Sequence, residues 1–336
     1  MMLSSVLLSL PGAAEAPDAD PFYRGVAWHY GNPLGEQRHL ATRAFVDRSH
    51  RKVIKVSGPD ARSFLNNLLS QKIHEPITFS QALNLDMQGH ILHLVDLTVT
   101  EDAIYLDTTA DTSESLLEYL TKMIFWSEVT IEEPELRILS VFGGYDGPLL
   151  AREAFHGRVD VFVPTDSLLE VARKLLDAGY QPVGLMAYEA WRVGNLQPEI
   201  YDFDAKSLPH ESARMITQAV HLNKGCYRGQ ETVARVENLG RSPRVQVLFH
   251  LDGSAPEQPA YGAEITAGSR VVGRLGTVVH DMDYGPIALG CVKRSALTTQ
   301  LHVGNVSLAI DPESLPVENT TQAGKAAIQR FKGLNP

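Results

Sequence analysis

Apolar positions change their period along the chain, and the change divides it. Over residues 52–56, 83–100, 103–107, 129–132, 136–142 and 159–163 they form short runs rich in Val, Ile and Leu, bounded by Gly, Pro, Asp or Ser, which predicts β-strands. Between these runs the spacing lengthens to three and four. Phe64, Leu65, Leu68 and Leu69 give one apolar face to a helix that Ser57 or Gly58 can cap, with Pro59 in its first turn. Leu116, Leu117, Leu120, Met123 and Ile124 mark a second helix after Asp111 and Glu114, whose spacing reads as a capping box. Leu168, Leu169, Val171, Ala172, Leu175 and Leu176 mark a third over residues 165–178, stopped at Gly179. Residues 86–90 read as a hairpin turn. Strands and helices alternating without a glycine-rich nucleotide fingerprint predict α+β subdomains like split βαβ units and not a dinucleotide-binding sheet.

After Arg241-Ser242-Pro243 the pattern turns wholly to strands. Residues 245–251, 270–279, 287–292 and 303–310 are short β-rich runs separated by Gly- and Pro-bearing turns, the mark of a small antiparallel barrel. Residues 17–45 are polar and mixed; 27–33 read as a turn leading into a short helix from about Leu34. Residues 311–336 are polar, and their basic end (Lys325, Arg330, Lys332) reads as a mobile tail. Near the start, Val6-Leu7-Leu8-Ser9-Leu10 mimics a signal peptide poorly, with no basic residue before Arg24 and too short an apolar run. No stretch approaches the 18 or so apolar residues of a membrane span.

At 336 residues the chain is long for one core, so two or three domains are expected. A net charge of -10 argues against broad nucleic-acid binding and leaves room for a local basic pocket. The two cysteines, Cys226 and Cys291, form no CxxC and no disulfide framework, which suits a reducing cytoplasm. Cys291 falls inside a barrel strand and reads as a core thiol. His90 and His93 lack a third ligand, so they read as surface or pocket-rim histidines and no metal site is expected.

The stretch Lys224-Gly225-Cys226-Tyr227-Arg228-Gly229-Gln230-Glu231 sets a cysteine between two cations in a glycine-flanked turn, just ahead of helix-compatible spacing over residues 230–238 that stops at Gly240. Neighbouring cations and a helix N-terminus each favour a thiolate over a thiol. The competing reading is a buried structural cysteine in a basic loop.

This octapeptide resembles the signature of the YgfZ family, folate-binding proteins of iron-sulfur cluster assembly and repair related to the glycine-cleavage aminomethyltransferase. Val56-Ser57-Gly58-Pro59-Asp60-Ala61 with Phe64-Leu65, Asp47-Arg48-Ser49-His50 and Leu208-Pro209-His210-Glu211 are similar to further family motifs. The resemblance implies two interleaved α+β subdomains over residues 21–240, an antiparallel barrel over 241–312, a partly flexible leader over 1–20 and a tail over 313–336. It implies tetrahydrofolate or a one-carbon derivative as cofactor, iron-sulfur client or assembly proteins as partners, and no direct nucleic acid or membrane. Cys226 and Lys224 would carry any chemistry, at the edge of a pterin-sized hollow between the larger domain and the barrel. Lys224, Tyr227, Arg228, Gln230, Glu231, Glu189 and Arg192 would bind the cofactor. Two departures stand out. Leu92 and His93 occupy the place of the transferase's acidic pair, which argues against glycine-cleavage chemistry. Gly194 occupies that of the pterin-holding Glu, with Glu189 one turn earlier as a substitute. Other readings are a folate-dependent one-carbon transferase, a cysteine nucleophile with His210 or His221 as base, and a non-catalytic folate sensor or scaffold.

Overall fold

The computed structural model describes residues 4–16, 22–73 and 77–316; the basic end of the expected tail lies outside them. In chain order the first part holds β1 (Ala14–Glu15), β2 (Ala27–His29), α1 (Pro33–His39), β3 (Ala44–Asp47), β4 (Arg51–Ser57), α2 (Ala61–Leu68), β5 (Ile77–Leu85), β6 (Ile91–Val99), β7 (Ala103–Thr109), α3 (Ala110–Lys122), β8 (Thr130–Glu132) and β9 (Leu136–Phe142). Then come β10 (Ala151–Glu153), β11 (Arg158–Pro164), α4 (Leu168–Asp177), β12 (Gln181–Val183), α5 (Leu185–Gly194), α6 (Ala213–Gln218) and α7 (Gln230–Leu239). The last strands are β13 (Arg244–Leu251), β14 (Glu264–Ala267), β15 (Arg270–Asp281), β16 (Gly285–Lys293), β17 (Leu301–Val303) and β18 (Val306–Ile310).

Two five-stranded sheets form the α+β part, in the orders β5-β6-β7-β4-β8 and β10-β11-β9-β3-β12. Successive strand residues point to opposite faces, so each sheet has two different surfaces. In the first sheet Ile54, Val56, Val95, Leu97, Ile104 and Leu106 pack against α2 and α3. The alternate positions Val53 and Tyr105 meet Ile138, Leu136 and Phe162 of the second sheet. Phe45, Leu139, Val141, Val161 and Val163 cover the other side of that sheet with α4. The layers therefore run helices, sheet, sheet, helix. Strands β13-β16-β15-β14-β17-β18 close into the expected antiparallel barrel around Val247, Phe249, Leu275 and Val292.

Charges lie in the seam between the two sheets. Arg51 Nε donates to Asp107 (2.7 Å), Arg152 reaches Asp107 (2.5 Å) and Asp160 (3.0 Å), and Arg158 reaches Asp160 (3.0 Å). Glu199 accepts from both Arg48 and Arg51. Each buried charge has an opposite one, the condition under which charges persist in an interior. Burial opposes ionisation of Asp160, yet Arg158, Arg152 and Arg48 hold its carboxyl well below the usual range.

The barrel is tied to α5 and the segment after it. Arg192 donates to Thr277 of β15 (2.5 Å), and Asp202 accepts from Thr277 N and Oγ1 (2.7 Å each). Arg244, first residue of β13, pairs with Asp204 and Glu211.

Several local expectations need correction. The run 303–310 is two strands, because Gly304 turns the chain at φ 56°. The cap of α3 is Thr109, leaving Asp111 inside its first turn. Residues 27–29 form a strand before α1. The described residues of the expected leader are packed: Leu7 is fully buried against Phe45 and Val161, and the Ser5 hydroxyl donates to Asp47. Of the apolar run too short to span a membrane, Leu7 is buried in a core, Leu10 packs against it partly buried, and Val6 is exposed.

Candidate functional site

Helix α7 begins one residue after Gly229, whose φ of 82° suits glycine. A Cβ there would sit 2.6 Å from Asp86 O and 2.9 Å from Gly89 Cα, so the absence of a side chain lets the loop press onto the β5–β6 turn. Gly225, by contrast, faces open space. The turn forms as expected, Asp86 N donating to His90 O and Gly89 N to Asp86 O. Cys226 is thereby exposed, four residues ahead of the helix, which removes the buried-cysteine reading.

The two flanking cations do not converge on the sulfur. Lys224 Nζ instead donates to the carbonyls of Asn66, Leu69 (2.6 Å) and Gln71 (2.9 Å), spending its three protons on carbonyls in and just beyond the last turn of α2. Burial lowers its pKa to about 8. Arg228 Nε donates to Leu85 O (2.5 Å) and Nη2 to Asn84 Oδ1 (2.9 Å), with the guanidinium 4.4 Å from the centre of the Tyr119 ring. Gln230 Nε2 returns to Lys224 O and closes the loop, while Glu231 is exposed in the first turn of α7.

Cys226, Tyr227 and Arg228 border a hollow of about 570 Å³ with Asn67 and Leu68 of α2, Tyr119 and Met123 at α3, and Met87 of the hairpin turn. The barrel contributes none of these residues, which corrects the expected position between the larger domain and the barrel. Gly229 is the cause, since it docks the loop onto the first subdomain. A larger hollow, about 910 Å³, does adjoin the barrel and is bordered by His210, His221 and Arg294. Its histidines border this hollow and not that of Cys226, and His210 Nε2 is held by Glu237 at 3.1 Å. Among the described residues no histidine borders the thiol's hollow.

Glu189 and Arg192 are not brought to it either. Glu189 is buried, accepts from Tyr23 OH (2.5 Å) and pairs with Arg192 (2.5 Å), which also holds Asp202 (2.7 Å). This is a closed structural cluster with no solvated carboxylate. Asp96, three residues after His93 on β6, lies among Arg51, Arg152 and Arg158 in the seam. Cys291 is half-buried and its thiol donates to Glu211 (3.3 Å); burial pushes its pKa far up.

Sequence reasoning missed Asn84, Tyr119 and the buried role of His93. His93 Nδ1 is 3.0 Å from Asn84 Nδ2, and Nε2 is 2.8 Å from Ser115 Oγ. His93 is 6% exposed, and burial with nearby Arg228 lowers its pKa to about 4, so it is a neutral core group and not a rim histidine. His90 does sit at the surface turn, paired with Asp86 at 2.8 Å. Polar residues inside the apolar runs of β5 and β6 were the available signal. Among the described residues no cluster of three or more His, Cys, Asp or Glu is placed to hold a metal ion, and no helix is long and apolar enough to cross a membrane.

No protein-family model matches the chain. A putative chloroplastic transferase of Arabidopsis thaliana is 26% identical over 292 residues, covering 75% of this chain and 65% of that protein. A mitochondrial iron-sulfur cluster assembly factor IBA57 homologue of Neurospora crassa is 24% identical over 243 residues, covering 63% and 55%. The chain thus spans just over half to two thirds of these two relatives. The aminomethyltransferase T of the glycine cleavage system from Bartonella henselae superposes with a TM-score of 0.75 over 90% of this chain and 94% of that one, at 19% identity, and shares its fold. With two α+β sheets, a closed barrel and the KGCYRGQE loop, this chain is a YgfZ-like relative of the glycine-cleavage aminomethyltransferase.

Proposed function

We propose that the protein binds tetrahydrofolate or a one-carbon derivative and serves the assembly or repair of iron-sulfur clusters in client proteins, with Cys226 as the thiol that meets the cargo. The observation that carries this reading is the exposed sulfur opening on a hollow walled by Tyr119, Tyr227, Leu68 and Met123, with Arg228 at its rim. Its volume lies in the range of about 300–1,000 Å³ usual for small-molecule sites. Flat apolar walls suit a pterin, the Asn67 amide offers hydrogen bonds, and the Arg228 guanidinium suits an acidic glutamate tail. Lys224 builds the loop by capping α2, while Glu189 and Arg192 keep to their own cluster. Bound folate would supply a one-carbon carrier; the chain's own residues bind it and present the thiol.

A lone thiolate cannot hold a cluster that takes four ligands, so a client or assembly partner must share it. The Neurospora relative, named as a cluster assembly factor, supports that direction. One-carbon transfer is disfavoured because Leu92 and His93 replace the acidic pair and the nearby Asp96 is committed to arginines. Two cysteines kept as thiols suit a reducing compartment, the cytoplasm by expectation.

Calorimetric titration with tetrahydrofolate tests the folate half. Arg228→Ala should weaken binding about ten- to a hundredfold, the size of a lost charge-assisted hydrogen bond. A native protein that takes up no folate overturns it. Expression of Cys226→Ser in a deletion strain tests the other half: 4Fe-4S enzyme activity should stay low, and full restoration would leave the thiol without a role.

A further inference from the structure

Arg228 does not stand at the hollow by chance of rotamer. Its Nε is fixed by Leu85 O and its Nη2 by Asn84 Oδ1, and its plane lies over Tyr119. Asn84 is oriented in turn. Its oxygen is taken by Arg228, so its amide nitrogen faces His93 Nδ1 at 3.0 Å and must donate there. An acceptor at Nδ1 puts the imidazole proton on Nε2, where Ser115 Oγ receives it at 2.8 Å. Asn84 and His93 are both buried, on adjacent strands in direct register. Ser115, His93, Asn84 and Arg228 thus form one directional chain from α3 to the thiol's hollow. Buried networks with every member satisfied fix geometry.

We infer that Asn84 and His93 are positioning residues for Arg228, and that through it they make Cys226 selective for anionic partners over neutral ones. The inference rests on the reading of Cys226 as the working thiol. The buried His93 then has a task of its own: it helps hold a cation at the rim of the thiol's hollow.

Competing alkylation reads this directly, in a Cys291→Ser background so that one thiol reports. Iodoacetate and iodoacetamide react by the same step, the thiolate forming a C–S bond as iodide leaves, so the ratio of their rates cancels the thiolate fraction. Relative to a free model thiol, the native protein should favour iodoacetate by about three- to tenfold, the effect of one positive charge several ångströms away in a watery rim. Arg228→Gln should abolish the preference. Asn84→Ala and His93→Leu should reduce it to the model-thiol value, and His93→Asn, which keeps an acceptor where Nδ1 lies, should restore it. A native ratio equal to that of the model thiol, or a preference untouched by Asn84→Ala and His93→Leu, overturns the inference while leaving Cys226 reactive. If neither reagent reacts, the working-thiol reading fails with it. Should the variants not fold, nitrogen-15 shifts of the native imidazole decide: the Nε2–H form is expected, and an Nδ1–H form overturns the chain of bonds.

Discussion

His93 accepts on one nitrogen and donates on the other, so an added proton would set its Nδ1–H against the Asn84 amide. Burial, then Arg228, lowers its pKa from 6.5 to about 4. An unfolded chain takes up this proton as pH falls through 6.5, and the folded chain does so only near 4. Stability linked to His93 is therefore whole above pH 6.5 and is lost toward pH 4, by roughly 3 kcal/mol for a shift of that size. Urea midpoints of native and His93→Leu proteins between pH 7 and 4.5 check this; the native curve should fall more steeply, and parallel curves would count against it. The sequence marked Cys226 clearly, because its neighbours along the chain are glycines and cations. It did not show where those cations point. The carbonyls that capture Lys224 and the amide that captures Arg228 lie about 150 residues earlier, and only the fold brings them near.

Helix α7 and the β5–β6 hairpin are joined through two glycines pressed together, and Gly229 is the less replaceable part. Gly229→Ala combines a left-handed backbone with a clash on Asp86 O, at a cost of about 1–3 kcal/mol before any shift of the turn. Gly225→Ala, pointing into open space, should be close to neutral. Paired chemical-denaturation curves separate the two, and equal losses would refute the packing argument. Elements with strong periodicity were legible: α7 runs to Leu239 with Gly240 beyond it as C-cap, and β9, β11 and β13 fall within a residue or so of expectation. The short strands β3, β10, β12 and β14 were not. Each has three or four residues, too few to display alternation, and each is defined by the neighbour it pairs with.

Across the whole molecule the two sheets meet over paired charges, a seam whose loss of one member leaves its partner buried and alone. Asp160→Asn should cost about 3–5 kcal/mol, seen as a large fall in the thermal midpoint. An unchanged midpoint would mean that the arginines find other partners. Asp160, Asp107 and Glu199 are all held below the usual carboxylate range, against burial, by their arginines. Their contribution is present above the ordinary carboxylate pKa and drains away as acid protonates them. Single charges inside apolar runs, such as Asp96 and Asp160, were visible in the sequence; that they face one another across two sheets was not.

Thr277 gives this architecture a mechanical property. Its hydroxyl and amide are gripped by Arg192 and Asp202, and Arg244 grips Asp204 and Glu211, so the barrel is fastened at two places to residues 192–211. Torque on the barrel wall would therefore bear on residues 192–211, the stretch that leads by α6 into the thiol loop. A protein leaning on the barrel would thus be pulling on the sulfur's mounting.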